Sequence, residues 1–237
     1  MADLLRVVRL GDRAVLRDGM LRIYSIAGVN ELDLAAAPTR SLRIPSRSRG
    51  LEDGLDIEVA RALGLIDLGS LVGLPMMEST TRALVDLARF SAVCHAAESL
   101  ERIDPARLDA AERGMVQATA YLLGRGLGLT PSGDDVLMGY GTALRYLHGA
   151  GSDAPSARFF DAVEELAPGK TTAVSEAYLE AMCDGRANED YIELLAALES
   201  GRTSDLDRCV ARILKIGHTS GADGLLGLGT AFCCLSM

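Results

Sequence analysis

The sequence predicts an α+β protein, with a small β-rich N-terminal part followed by a mainly α-helical part that contains a duplicated loop–helix element. Three observations support this fold class. Short β-prone runs separated by turn residues occupy the beginning of the chain, and apolar residues then recur at helical spacing from about residue 76. In addition, two segments 88 residues apart nearly match. We therefore predict a β-rich region over 1–72 and a helical domain over 73–237, with repeats at about 128–147 and 217–235.

The N-terminal part contains several runs that favour β-strands. Asp18-Gly19 separates two of these runs, and Asp-Gly between β-prone segments is a strong signal for a tight hairpin. Residues 51–71 fit a strand or a helix equally well. The candidate strands are Leu4 to Leu10, Ala14 to Arg17, Leu21 to Ile26, and Leu42 to Ile44, the last ended by Pro45.

The remainder of the chain is predicted to be helical. Proline is favoured at the first helical position, so Pro105 is expected to begin a helix with Asp104 as its N-cap. Gly185, Gly201 and Gly217 stand where helix C-terminal caps are expected. The predicted helices cover about 76–100, 105–123, 132–148, 156–167, 171–184, 188–199, 204–215 and 221–235.

Composition limits the classes of partner. With 33 acidic against 24 basic residues the net charge is −9, which repels a phosphate backbone and argues against nucleic acid. No apolar run is long enough to cross a bilayer, and the first residues do not resemble a signal peptide, so we expect a cytoplasmic protein without a membrane partner. The five cysteines form no C-x-x-C pair and are expected to be reduced, buried thiols. No cofactor is expected.

The repeat is the most informative feature of the sequence. Ser132 to Ala143 matches Ser220 to Ala231 at eight of twelve positions, and a Gly-x-Thr segment precedes each copy. Each copy also has two glycines inside the predicted helix, and an interior glycine costs about 1 kcal/mol relative to alanine. We therefore predict that these glycines, Gly139, Gly141, Gly227 and Gly229, allow the two repeat helices to pack closely, so that their N-terminal loops converge on one site.

Each repeat places hydroxyl side chains beside the first turn of a helix. The first N–H groups of a helix lack intrahelical partners, and together with threonine and serine hydroxyls they can hold a small oxyanion. The alternative is that Thr130, Ser132, Thr219 and Ser220 are helix N-caps, with nearby aspartates complementing the helix dipole.

Acidic residues accompany these hydroxyls. Asp135 and Asp223 occupy matching positions in the two copies, Asp134 precedes the first of them, and His218 lies in the second loop. Such a group has the chemistry to act as acid and base or to hold a divalent cation. The spacing matches no established metal motif.

A further segment, Pro168 to Thr172, resembles the end of a phosphate-binding P-loop. A P-loop needs a glycine where this chain has Glu164, and a strand where a helix is predicted, so we reject that interpretation. Lys170, Thr171, Thr172 and Ser175 still open a predicted helix. They add a cation and hydroxyls to the anion site, or Thr171 is simply a helix cap.

Three segments together resemble the AllH-like family, formerly a domain of unknown function, whose named member is the AllH subunit of oxamate carbamoyltransferase. They are Gly128-Leu-Thr-Pro-Ser-Gly-Asp-Asp135, Thr171-Thr-Ala-Val-Ser175 and Gly217-His-Thr-Ser-Gly-Ala-Asp223. The resemblance covers about 110 residues in the family's order, whereas the N-terminal part looks shorter than is usual.

The resemblance implies a subunit of a carbamoyltransferase in purine or allantoin breakdown, acting with partner subunits in an oligomer. Oxalurate and phosphate would exchange with oxamate and carbamoyl phosphate. The alternatives are a non-catalytic assembly subunit and a metal-dependent hydrolase using Asp134, Asp135 and Asp223. On the leading interpretation Asp135, Asp223 and His218 are catalytic, and the substrate is bound by Gly128, Thr130, Ser132, Gly133, Asp134, Lys170, Thr171, Thr172, Ser175, Thr219, Ser220 and Gly221.

Overall fold

The computed structural model describes residue 9 and residues 11–37, 39–48, 59, 62–63, 68–98, 103–149, 151 and 154–233. The chain divides into two compact units, residues 1–41 and residues 42–237. The predicted domain boundary near residue 72 stays a prediction. The described secondary structure has the predicted order, with strands first and helices after them, so the α+β class is confirmed.

The first unit contains a three-stranded antiparallel sheet. Its strands are β1 (Arg13–Arg17), β2 (Met20–Ser25) and β3 (Gly28–Asp33), in the order β1-β2-β3. Asp18 and Gly19 join the first two strands with φ of 50° and 74°. Positive φ at both central residues suits a two-residue hairpin loop, so the predicted Asp-Gly hairpin is confirmed.

Two details differ from the predicted strands. Strand β3 is not among the predicted strands, because its residues include glycine, asparagine and acids that are rare in strands. The predicted strand over Leu42 to Ile44 is wrong: Arg43 makes a single antiparallel bridge to Arg186, and no ladder continues from it. The run from Leu4 to Leu10 lies outside the described residues, apart from Arg9.

The second unit is helical. Of the helices predicted from residue 76 onward, each is present and ends within three residues of its predicted bounds. The described helices are α1 (Leu68–Leu71), α2 (Glu78–Glu98), α3 (Pro105–Leu122), α4 (Ser132–His148), α5 (Ala157–Leu166), α6 (Ala173–Cys183), α7 (Glu189–Glu199), α8 (Thr203–Ile213) and α9 (Ser220–Phe232). No described helix has both the length and the apolar character needed to cross a membrane.

The predicted helix boundaries have the expected local causes. Pro105 begins α3, and the Asp104 carboxylate accepts a hydrogen bond from the N–H of Ala106, which satisfies one free donor of the first turn. Gly185, Gly201 and Gly217 follow helices with φ of 80°, 62° and 60°, a backbone conformation that side chains disfavour.

The two repeat helices, α4 and α9, pack against each other through backbone contacts. A Cβ on Gly139 would lie 1.9 Å from the carbonyl oxygen of Gly224, and a Cβ on Gly227 would lie 1.9 Å from that of Val136. Residues 136 and 139 match 224 and 227 in the repeat, so the two contacts are reciprocal, as in a pair related by a two-fold axis. The predicted close packing of the repeat helices is confirmed.

The other two repeat glycines leave room for the side chains of neighbouring segments instead. A Cβ on Gly141 would meet Met182 and Phe159, and a Cβ on Gly229 would meet Leu63. The cysteines also differ in part from expectation: Cys94, Cys183 and Cys209 are buried and in no disulfide, but Cys233 is exposed. It directly follows Phe232, the last residue of α9.

Candidate functional site

The N-terminal turns of the repeat helices meet, and their side chains form two matching groups. The Oγ1 of Thr130 and the Oγ of Ser220 are 3.0 Å apart, and both hydroxyls hydrogen-bond to the carboxylate of Asp135. This group of three side chains is called the open half below. It combines a threonine and an aspartate of the first repeat with a serine of the second.

In the matching group the second repeat supplies the threonine and the aspartate, and the first repeat supplies the serine. The hydroxyls of Ser132 and Thr219 hydrogen-bond to the carboxylate of Asp223. This group is called the closed half. Each aspartate therefore receives a threonine hydroxyl from its own repeat and a serine hydroxyl from the other repeat, so neither half is complete in one copy.

These hydroxyls do not cap the helices. The residue before α4 is Pro131, and Thr219 precedes α9 without a side-chain hydrogen bond to the helix N–H groups. The N-cap interpretation of the repeat hydroxyls is therefore wrong, and their partners are the two aspartates. A cap needs a hydroxyl turned toward the N–H of the second or third helical residue, whereas these hydroxyls are turned toward an aspartate carboxylate.

The closed half is sealed by the segment that precedes α2. The N–H of Gly73 donates to Oδ1 of Asp223 at 3.0 Å, and the N–H of Leu74 approaches the same oxygen at 3.4 Å. A Cβ on Gly73 would lie 2.5 Å from the hydroxyl oxygens of Ser132 and Thr219, so only glycine fits there. Asp223 has no exposed surface.

The open half faces a cleft of about 900 Å³. Thr130, Asp135 and Ser220 lie in its wall, together with residues of α4, α6, the start of α7 and the loop before α9. Only 5% of Asp135 is exposed, and within the described residues its Oδ2 has no hydrogen-bond partner. The convergence predicted for the repeat loops is thus observed, but only one of the two halves opens onto this cleft.

The electrostatics of the two aspartates follow from their burial. Burial raises the pKa of Asp135 to about 7, and the negative charge of Asp223 adds to the rise, while the hydroxyls of Ser220 and Thr130 oppose it. Burial also raises the pKa of Asp223, against the hydroxyls of Ser132 and Thr219 and the peptide N–H groups that stabilise its ionised form. Asp135 is therefore half protonated near neutral pH, as suits a group that exchanges protons.

Tyr191 is a cleft residue that the sequence analysis missed. A Cβ on Gly224 would lie 2.0 Å from its hydroxyl oxygen, and burial together with the charges of Asp135 and Asp223 raises the pKa of Tyr191, which keeps the phenol neutral. Val136 occupies the position of Gly224 in the first repeat. The sequence signal that could have indicated a close neighbour at this position is the replacement of valine by glycine between the two copies.

Two arginines in the cleft wall were also missed. Arg212 pairs with Asp190 at 2.5 Å and with Glu193, and Arg186 pairs with Asp184. These residues follow no motif, since they come from the loops between α6 and α7 and from the last turn of α8. Their positive charges are compensated by these acids, and Asp190 itself lies in the cleft wall.

The carboxylate of Asp134 has hydrogen-bond partners different from those of the other two aspartates. Its Oδ1 accepts a hydrogen bond from the N–H of Gly124 at 2.7 Å, and the hydroxyl of Thr171 donates to its Oδ2. Thr172, rather than Thr171, caps α6 by accepting from the N–H of Ser175, and its own hydroxyl donates to a backbone carbonyl of the loop before α4. The two threonines therefore fasten that loop in place.

The described part of the chain contains no set of ligands for a metal ion. No group of three or more histidine, cysteine, aspartate or glutamate side chains lies close enough to hold a metal ion there. With Asp134 turned toward Gly124 and Thr171, the three aspartates of the hydrolase alternative do not converge.

The glycines at the second position of each repeat helix have packing roles. The N–H of Gly133 donates to the carbonyl of Arg125 at 2.8 Å, and the N–H of Gly221 donates to that of Ile216 at 3.1 Å. A Cβ at either glycine would lie within about 2 Å of a carbonyl oxygen of the preceding helix. Their N–H groups are thus engaged inside the chain.

The remaining predicted site residues lie away from the cleft wall. Gly128, Lys170 and His218 are exposed, and Ser175 is fully buried on α6, with no hydrogen-bond partner for its hydroxyl among the described residues. For every residue of the predicted site, the assignment to catalysis or substrate binding stays a prediction.

Residues 122–232 match the family model described as oxamate carbamoyltransferase subunit AllH. The resemblance stated from the three sequence motifs is therefore confirmed. The matched segment contains both repeats and all three residues of the open half, whereas Gly73 and Leu74 of the closed half lie before it. No solved structure matches the chain.

Proposed function

We propose that this chain, with its match to the oxamate carbamoyltransferase subunit AllH over residues 122–232, holds the carbamoyl-bearing substrate of such an enzyme in the cleft at the open half. The match supports a subunit of oxamate carbamoyltransferase, which implies partner subunits. The observation that carries the proposal is the position of Thr130, Asp135 and Ser220. These three residues belong to the sequence motifs of the resemblance, and they line a cleft large enough for a small substrate.

The proposed reaction transfers a carbamoyl group between nitrogen and phosphate oxygen. In the direction that consumes oxalurate, the bond between the carbamoyl carbon and the amide nitrogen breaks, and a bond from that carbon to a phosphate oxygen forms. The proton of the attacking phosphate moves to the leaving nitrogen, which gives oxamate and carbamoyl phosphate. Such a transfer depends on positioning and on donors to the developing oxyanion more than on a covalent nucleophile.

The groups lining the cleft fit these needs. The N–H groups of the helix N-terminal glycines are engaged, and the hydroxyls of Thr130 and Ser220 donate to the ionised Asp135. When Asp135 is protonated it can itself donate to one of these hydroxyls, which frees that hydroxyl to donate to a substrate oxygen. The hydroxyl of Tyr191 is a further donor in the cleft wall. Arg186 and Arg212 line the cleft but are paired with acids, so a carboxylate or phosphate would bind these guanidinium groups by replacing or sharing an acid partner. This arrangement supports small oxyanions as substrates, as expected for purine or allantoin nitrogen catabolism.

Asp135 is placed to move the proton of this reaction. Burial and the neighbouring charge of Asp223 raise its pKa to about 7, so both of its forms are populated near neutral pH. It therefore has the acidity expected of a general acid–base group that passes a proton between phosphate and the leaving nitrogen.

A calorimetric titration of the full chain with carbamoyl phosphate tests the proposal, because the two halves provide matched variants. Ser220→Ala removes a hydroxyl from the cleft wall and is expected to weaken binding at least tenfold, about 1.4 kcal/mol. Ser132→Ala removes the equivalent hydroxyl from the closed half and is expected to lower stability with little change in affinity. Equal effects of both substitutions on affinity would contradict a site in the open half.

A non-catalytic assembly subunit is the second candidate function, and the loop before α4 favours it. Leu127 is 94% exposed and Leu129 is 71% exposed. Two exposed leucines three residues or fewer from the site are typical of a contact surface for another protein. Substituting both leucines with serine is expected to prevent assembly with the partner subunits in pull-down experiments. If assembly persists, this loop is not the contact.

A further inference from the structure

The closed half shows which hydrogen-bond donors fit the aspartate of a repeat. Two successive peptide N–H groups, those of Gly73 and Leu74, approach one carboxylate oxygen of Asp223 at 3.0 and 3.4 Å. Successive N–H groups form a concave donor pair that suits a single anionic oxygen. These two backbone donors both meet Oδ1 of Asp223, while its Oδ2, like that of Asp135, has no hydrogen-bond partner within the described residues.

The open half has the same side chains in the matching positions but lacks this donor pair. Within the described residues, the hydrogen bonds to Asp135 come from the hydroxyls of Ser220 and Thr130, and no peptide N–H donates to its carboxylate. The cleft occupies the corresponding place. Asp135 is 95% buried by surface area, and its Oδ2 has no partner, as is also true of Asp223. The two halves differ because Asp135 lacks the peptide donor pair of Asp223 and has the cleft beside it instead.

We propose that Asp135 recognises a ureido group of the substrate, whose two neighbouring N–H groups take the place in the open half that the Gly73 and Leu74 N–H groups take in the closed half. This inference rests on the proposed function and deepens it, because it assigns the ureido end of the substrate to Asp135.

The chemistry of a ureido group fits this role. Its two nitrogens flank one carbonyl carbon, so two N–H bonds point in nearly the same direction and can converge on one oxygen, as the two peptide N–H groups do on Asp223. Carboxylates and phosphates bring acceptors instead of donors and would be repelled by Asp135. The aspartate thus selects the ligand by the presence of paired donors, because a buried acceptor left without them is penalised.

Two closely similar compounds test the proposal. N-carbamoylglycine carries a ureido group and a carboxylate, and N-acetylglycine replaces the terminal amino group by methyl at the same charge and nearly the same size. We expect calorimetric titration of the full chain at about pH 8.5 to show at least tenfold tighter binding of N-carbamoylglycine. Asp135→Asn is expected to reduce this preference to twofold or less.

The direction of the change separates recognition from simple electrostatics. Removing a negative charge from the cleft would tighten the binding of any anion, whereas loss of the acceptor weakens the ureido compound specifically. Glu189→Gln removes a charge from the same cleft wall and is the matched control, expected to keep the wild-type preference. Thermal unfolding of each variant verifies that it is folded.

Several results would overturn the inference. They are equal affinity of the wild-type chain for the two compounds, undetectable binding of N-carbamoylglycine, and an unchanged preference in Asp135→Asn. If Asp135→Asn does not fold, the affinities of the wild-type chain for N-carbamoylglycine and N-acetylglycine alone test the inference. Neither compound is a substrate of the proposed reaction, so carbamoyl transfer with the partner subunits remains a separate test of the proposed function.

Discussion

Replacing Asp135 by asparagine should stabilise the chain at alkaline pH and should do so less in acid. The pKa of Asp135 is raised from 3.8 to about 7, so between these values the folded chain holds a proton that the unfolded chain has released. The wild-type chain therefore loses stability as the pH rises through the folded pKa. Asparagine has nearly the same shape and does not titrate, so the variant lacks this loss.

The magnitude follows from the size of the pKa shift. A rise of about 3 pKa units at about 1.4 kcal/mol per unit corresponds to about 4 kcal/mol of unfolding free energy lost at alkaline pH. At pH 5 most of that stability is still present, so between pH 5 and pH 8.5 the wild-type chain loses about 3 kcal/mol relative to the variant. Weaker hydrogen bonds from Ser220 and Thr130 to a neutral amide offset about 1 kcal/mol of the variant's gain at every pH.

Urea unfolding at pH 5 and pH 8.5, followed by circular dichroism, measures this difference directly. Asp134→Asn is the control, because Asp134 is buried beside Asp135 but accepts hydrogen bonds from Gly124 and Thr171. It is expected to destabilise the chain at both pH values. The reasoning is refuted if Asp135→Asn destabilises the chain equally at both values, because the carboxylate would then be well solvated or well paired in the folded state.

Three further changes test the packing and hydrogen bonds around the site by urea unfolding. Gly139→Ala is expected to cost at least about 3 kcal/mol, because its Cβ would lie 1.9 Å from a backbone carbonyl, whereas Gly151→Ala meets nothing within 4 Å and should be nearly neutral. Thr171→Val leaves the buried Asp134 without one donor and should cost about 2 kcal/mol, with Thr171→Ser restoring most of it. Asp104→Ala removes the N-cap of α3 and should cost about 1 kcal/mol. Equal stability of the two glycine variants, failure of serine to restore Thr171, or a neutral Asp104→Ala would each contradict the corresponding contact.

Local patterns sufficed to predict the helices and the first hairpin. Apolar spacing, proline at α3 and glycine after three helices act within a few residues, so they can be read without tertiary contacts. The strand β3 was missed because its polar residues gain their pairing only from β2. Leu42 to Ile44 has strand-like composition but forms a single isolated bridge with residues 185–187 and not a ladder, so composition alone was misleading there.

The site was predictable in part, through the repeat. Matching residues at a constant spacing indicated that the loops converge, and the interior glycines indicated why two helices could approach so closely. The exchange of partners, in which Asp135 bonds Ser220, depends on a two-fold relation that spacing does not reveal. Tyr191 and Arg212 come from segments without motifs, and only the folded chain brings them to the cleft.

The duplicated element also explains why the two aspartates need not have the same task. Two equal halves would place two donor-poor carboxylates side by side, and each charge would raise the pKa of the other, as Asp223 does for Asp135. The peptide N–H groups of Gly73 and Leu74 relieve this at Asp223 and occupy its half. Asp135 is left as the aspartate of the pair with a cleft beside it, so only that half can exchange its partner for a ligand. The same duplicated element is thus closed by the chain itself in one copy and faces the cleft in the other, which is where the proposed ligand would bind.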